Sequence, residues 1–139
     1  MTENSPITVL DREASFAKLG TQQLGRLVVR RKEEFDIFPV NYVLDGEDIY
    51  FRSAEGSKLF TVALNSEVLF EADEVSEGHA WSVVVRGEAH LLTSNKEIQH
   101  ADSLPLKPWI PTLKYNFVKI VAHDISGREF DLGEEPERY

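Results

Sequence analysis

The stretch 49–64, IYFRSAEGSKLFTVAL, decides how the rest of the chain is read. Ile49-Tyr50-Phe51-Arg52 alternates as a short strand, and Ser53-Ala54-Glu55-Gly56 turns it into a predicted helix whose first turn carries Ser57 and Lys58. The first N–H groups of a helix have no partner within it, and its dipole places partial positive charge at that end. Backbone donors, a hydroxyl and two cations, Arg52 and Lys58, therefore converge on one spot, which predicts a phosphate cradle. A guanidinium suits bidentate phosphate recognition, and a lysine in a helix's first turn otherwise opposes the dipole. The plainer alternative makes Arg52 a solvated strand residue and Lys58 a surface charge.

Upstream, Phe35 to Asp45 (FDIFPVNYVLD) is a predicted strand ended by the Asp45-Gly46 turn signal, and Leu24 to Arg31 (LGRLVVRR) is another, joined to it through a charged KEE turn. Pro39 cannot donate to a ladder, so it implies an edge, a bulge or a bend. A bend would let Val40, Asn41 and Tyr42 turn polar groups toward a ligand lying across the sheet; a corner without a ligand fits the same spacing. Before these strands, Asp11 is the expected N-cap of a short helix ending near Gly20, and residues 1–9 read as a flexible arm.

Downstream, Glu67 to Asp73 (EVLFEAD) alternates as a strand, and Ala80 to Thr93 (AWSVVVRGEAHLLT) is a longer one expected to bend at Gly87. A weak helix is expected over 95–101. Pro105, Pro108 and Pro111 make 104–111 a stiff extended loop that carries Trp109. Lys114 to Ile125 is the sixth expected strand; Gly127 is expected to turn the chain into a short returning piece, Arg128-Glu129-Phe130. Residues 132–139 form an acidic tail. Short turns between strands and few helices predict a mainly β domain over 10–131 and a closed antiparallel barrel of six strands. A barrel this small fills with its own side chains, so a sizeable ligand must lie outside it or at an interface.

Composition narrows the chemistry. With 139 residues the chain fits one domain, and a net charge of −9 argues against general nucleic-acid binding. The absence of cysteine excludes disulfides, thiolate nucleophiles and Cys-ligated metals. Neither a signal-peptide pattern nor an apolar run of about 18 residues is present, so a cytoplasmic protein is expected.

Taken in order, Leu24-Gly25-Arg26-Leu27, Pro39-Val40-Asn41-Tyr42, the segment from Ile49 to Lys58, Phe70-Glu71-Ala72-Asp73, the segment from Trp81 to Gly87 and the late Trp109 carry a resemblance to a known family. Over roughly Leu10 to Phe130 the chain resembles the pyridoxamine 5′-phosphate oxidase-like, flavin-binding split-barrel proteins, most of all small bacterial members that include nitroimidazole-reductase-like proteins. The resemblance implies a six-stranded antiparallel split barrel of Greek-key type, with FMN bound at the interface of a homodimer. It further implies Arg52, Lys58, Ser53 and Ser57 on the phosphate, with Phe51 beside them. Val40, Asn41 and Tyr42 would then lie along the flavin ring, Trp81 and Ser82 would face it from the start of their strand, and Trp109 of the second subunit would cover it. Trp81 also fits as a plain core residue. The implied activity is transfer of hydride or electrons from a donor such as NAD(P)H to a small oxidised acceptor. Alternatives on the same fold are an F420-dependent reductase, which the negative charge disfavours, and a protein that only binds flavin or haem. True pyridoxamine phosphate oxidation is disfavoured because no arginine and histidine pair stands beyond Arg128.

Other constellations are weaker. His79, His90, His100 and His123 lack metal-ligand spacing, so no metal site is expected; His79, just before Trp81, is the candidate for a haem ligand. Glu71 and Asp73 share one strand face, which is either solvated or lines the mouth of the site.

Overall fold

A computed structural model describes residues 5–54, 57, 66–107 and 115–135. Its elements are β1 (Ile7–Leu10), α1 (Arg12–Leu19), β2 (Leu24–Arg31), β3 (Glu34–Asp45), β4 (Asp48–Ala54), β5 (Ser66–Ser76), β6 (His79–Leu91), α2 (Asn95–Ser103) and β7 (Tyr115–Asp131). Every pairing is antiparallel. The sheet runs β1-β7-β4-β3-β2-β5-β6, and an added β7–β6 pairing closes β2 to β7 into the six-stranded ring that the turn spacing predicts.

Alternation fills the ring. Leu27 and Val29 of β2, Ile49 and Phe51 of β4, Val68 and Phe70 of β5, Val83 and Val85 of β6, and Val118 and Ile120 of β7 point inward and form one buried cluster. α1 closes one end by adding Phe16 and Leu19 to it. Asp11 Oδ1 accepts from Ala14 N at 2.8 Å as the expected N-cap. Surface ion pairs hold the helix down: Arg12 reaches Glu47 at 2.9 Å, and Lys18 reaches Glu129 at 2.9 Å.

Three expectations are corrected. Ile7–Leu10, expected mostly within a loose arm, pairs with Phe130 to Gly127 of β7. Ser53 and Ala54, expected in a turn, continue β4 because they pair with Asn116 and Tyr115. Gly127 does not turn the chain; β7 runs straight through it to Asp131. Its missing side chain is instead a matter of close approach, since a Cβ there would stand 2.5 Å from Ser15 Oγ and 3.2 Å from Leu10 Cδ1. Gly87 does mark an irregularity, where the β6–β7 register shifts between Arg86 and Gly87. Among the described residues no helix is long and apolar enough to cross a membrane.

Candidate functional site

β3 pairs with β4 only from Tyr42↔Phe51 to Asp45↔Asp48. One residue further on the strands part: Glu34 to Asn41 stay on β2, while Arg52, Ser53 and Ala54 stay on β7 opposite Phe117, Asn116 and Tyr115. The predicted cradle therefore begins where the ring splits, and Pro39 sits on a segment of β3 whose second edge has no strand partner among the described residues. The edge reading of that proline is the one the fold adopts.

Alternation sends Arg52 and Ser53 to opposite sides of β4. Arg52 follows Tyr50 outward, and its guanidinium carbon lies 3.9 Å from the centre of the Tyr115 ring. The Arg52 Nε is buried and has no hydrogen-bond partner among the described residues. A buried guanidinium N–H without an acceptor is costly, so a head group pinned on an aromatic face and short of a partner fits an anion. Ser53 follows Phe51 inward, is 2% exposed, and places its hydroxyl 3.1 Å from that of Ser57. Ser57 is tied back to the strand by its N–H, which donates to the Ala54 carbonyl at 3.1 Å. Lys58, Trp109 and the rest of the predicted helix lie outside the described residues.

The remaining predicted site residues separate into two groups. Val40, Tyr42, Phe51 and Trp81 turn their side chains into the core. The Tyr42 hydroxyl donates to the Leu19 carbonyl, and its ring meets Phe70 edge-on at 4.8 Å. Burial pushes the Tyr42 phenol far above its usual range, so it stays a donor at every working pH. The Trp81 indole N–H donates to Glu74 Oε1 at 3.3 Å. Core placement, the plainer reading of Trp81, describes its side chain; all that these four residues offer a ligand is backbone. Asn41 is half-buried and donates from Nδ2 to the Gln23 carbonyl at 3.3 Å. Trp81 and Ser82 pair with Glu129 and Arg128 near the far end of β7, whereas Ser53 pairs with Asn116 near its start. Those points lie twelve residues apart, on the order of 40 Å along the strand. Within one protomer, Trp81 and Ser82 are not brought to the cradle.

Two features escape the sequence reading. Tyr115 supplies the aromatic floor under Arg52 from a position read only as a strand start. On the outer face of β2 and β5, Arg26 Nε donates to Glu71 Oε1 at 2.6 Å, and Arg26 Nη2 lies 3.0 Å from Asp73 Oδ1. Burial and a hydrogen bond shared with Asp73 push the Glu71 carboxyl up to about 7, against the pull of Arg26. The i, i+2 spacing of Glu71 and Asp73 announced a shared face; their partner on a strand 45 residues earlier in sequence was not visible from spacing.

A family model described as "Pyridoxamine 5′-phosphate oxidase" matches residues 11–129. An uncharacterized Mycobacterium tuberculosis protein is 38% identical over 96 residues, covering 69% of this chain and 87% of that one. A crystal structure from Corynebacterium glutamicum, provisionally named a pyridoxamine 5′-phosphate oxidase, superposes with a TM-score of 0.88 at 56% identity, covering 95% of this chain and 98% of the other. The FAD binding protein of Mycobacterium smegmatis superposes at 0.84 with 36% identity, covering 91% and 100%.

Proposed function

Because the chain belongs to the pyridoxamine 5′-phosphate oxidase family, we propose that it is a homodimeric flavin-binding oxidoreductase that takes FMN by its phosphate at the split end of β4. The observation that carries this reading is Arg52, buried at Nε without a partner among the described residues and laid over Tyr115. Arg52 supplies charge and direction, and the paired hydroxyls of Ser53 and Ser57 donate to phosphate oxygens from the other side of the strand. The segment of β3 around Val40 lies beside the cradle, past the last β3–β4 pair, and is where the ring portion of the ligand would lie.

FMN and FAD share the flavin, the ribityl chain and the first phosphate, so the similarity to an FAD binding protein supports the same cradle. A bound flavin supplies two-electron redox chemistry between a donor such as NAD(P)H and a small oxidised acceptor. The chain's own share is to hold the phosphate, orient the ring and exclude water. Among the described residues, the end of β4 and its partners on β7 provide a guanidinium, hydroxyls, an amide and aromatic rings.

Two observations support the homodimer. One protomer leaves Trp81 and Ser82 far from the cradle, so a second subunit is needed for them to share a ligand. The outer face of β3, β2, β5 and β6 also exposes large apolar side chains, among them Phe35 and Ile37.

Fluorescence titration of the purified chain with FMN, FAD and a deazaflavin tests the reading. Arg52→Ala is expected to weaken flavin binding by about 1.5 to 3 kcal/mol, the scale of a charge-assisted hydrogen bond, at unchanged thermal stability. Absence of quenching by any flavin, or an unchanged constant in Arg52→Ala, overturns the assignment. Anaerobic reduction by NADPH of the bound flavin separates an oxidoreductase from a binding protein.

A further inference from the structure

Arg52 stands directly opposite Phe117 in the β4–β7 ladder, and Tyr115, opposite Ala54, is its diagonal neighbour on the same outer side. The guanidinium lies over the diagonal ring, with its carbon 3.9 Å from the ring centre. That choice carries the head group along β4 toward the end where the Ser57 N–H is tied to the Ala54 carbonyl. Phe117 is buried in the cluster of Tyr50, Leu92 and Ala101, and Tyr115 packs against that cluster. The Tyr115 and Phe117 rings are nearly perpendicular, at 87°, with centres 5.4 Å apart. Phe117 thus sets the tilt of Tyr115, and Tyr115 offers a face to Arg52.

The way an arginine is anchored decides what it has left for a ligand. A carboxylate anchor takes up N–H groups and offsets the positive charge. A π-face holds the flat guanidinium by its plane and leaves the N–H groups, which lie in that plane, free to donate. The chain has 24 acidic residues, yet among the described residues no carboxylate pairs with Arg52. Asp102 is near enough to line a cavity of about 300 Å³ together with Tyr115 and Phe117, and it is not paired with Arg52 either. The buried Nε likewise has no partner among the described residues.

We propose that Tyr115 is the positioning residue of the phosphate cradle. Its ring fixes the plane of the Arg52 guanidinium while leaving charge and donors unspent, so the grip on the phosphate depends on Tyr115 acting through Arg52. The π-face does this work, and the phenol hydroxyl has no part in it. The inference rests on the phosphate reading above.

FMN and riboflavin share the ring and the ribityl chain and differ by the phosphate, so their two dissociation constants isolate the cradle. Fluorescence titration of the full chain is expected to show FMN bound more tightly than riboflavin. Tyr115→Leu should weaken FMN about tenfold and leave riboflavin unchanged, whereas Tyr115→Phe keeps both constants. Tyr115→Met, a longer side chain without a π-face, should repeat the split, so that poor folding of Tyr115→Leu does not decide the result. In an Arg52→Ala background Tyr115→Leu should change nothing further. A wild-type chain that binds FMN no more tightly than riboflavin overturns the phosphate reading and the inference together. A preference for FMN that survives in Tyr115→Leu and Tyr115→Met overturns the inference alone. So does equal weakening of both flavins, which marks a purely structural role, or a loss in Tyr115→Phe, which assigns the work to the hydroxyl. A further loss of FMN affinity in the Arg52→Ala background also overturns it, because Tyr115 then acts other than through Arg52.

Discussion

On the β4–β7 flank of the ring, the outward residues Tyr50, Leu92 and Phe117 lie under α2 and form a second buried cluster with Ala101. On the β3–β2–β5–β6 flank, the outward residues Phe35, Ile37, Leu69 and Val84 meet solvent. Both flanks obey the same two-residue alternation and both turn apolar side chains outward. The difference is that one is covered by the chain's own helix. An apolar outward row with a cover is a second core, whereas one without a cover is an exposed apolar surface.

One residue type, placed on both flanks, gives the largest contrast. Phe117 is 6% exposed and Phe35 is 69% exposed. Phe117→Ala is expected to destabilise the fold by about 3 to 5 kcal/mol through lost burial and a cavity. Phe35→Ala should stay within about 0.5 kcal/mol. Chemical denaturation of both variants measures the pair. Equal losses would break the distinction between the flanks.

Gly127 tests the end of the ring that both flanks share. Gly127→Ala pushes a methyl against Ser15 Oγ and Leu10, lifting α1 and β1 from β7. The expected cost is about 1 to 3 kcal/mol, the range for overpacking, read as a lowered denaturation midpoint. If Gly127→Ala is neutral, α1 is free to shift and the end closure is looser than the contacts imply.

How much of this could be read in advance depended on how local each cause was. β2 was legible to the residue because LGRLVVRR is rich in branched apolar residues and is followed by turn chemistry, and the Asp11 cap was legible because capping is decided within four residues. Gly127 was misread because a turn glycine and a close-approach glycine look alike in sequence; only the helix packed on it tells them apart. The same limit applies at the site. Arg52 and Ser57 announced an anion through their spacing, yet Tyr115 under the guanidinium and Arg26 beside Glu71 are contacts between strands distant in sequence. Trp81 carried a role by resemblance, and alternation turned its side chain into the core, the placement that its plainer reading gave.

The smallest effect bears most directly on why one flank is covered. α2 opens with Ser94-Asn95-Lys96-Glu97, and Ser94 Oγ accepts from Glu97 N at 3.1 Å. The helix is polar apart from Ile98 and Ala101, so its hold on the flank rests on those two side chains, on His100, which meets the Tyr50 ring edge-on and lies 2.6 Å from Asp45 Oδ2, on the Lys119–Glu97 pair at 3.5 Å, and on this cap. Ser94→Ala is expected to cost about 1 kcal/mol in global stability. Its local consequence is more telling: fraying α2 uncovers Tyr50, Leu92 and Phe117 and makes this flank resemble the other. Amide hydrogen exchange should therefore rise in residues 95–103 and at the outward positions of β4, with β2 and β5 unchanged. If exchange rises evenly over the ring, α2 is an integral part of the main core rather than a cover, and the contrast between the flanks loses its cause.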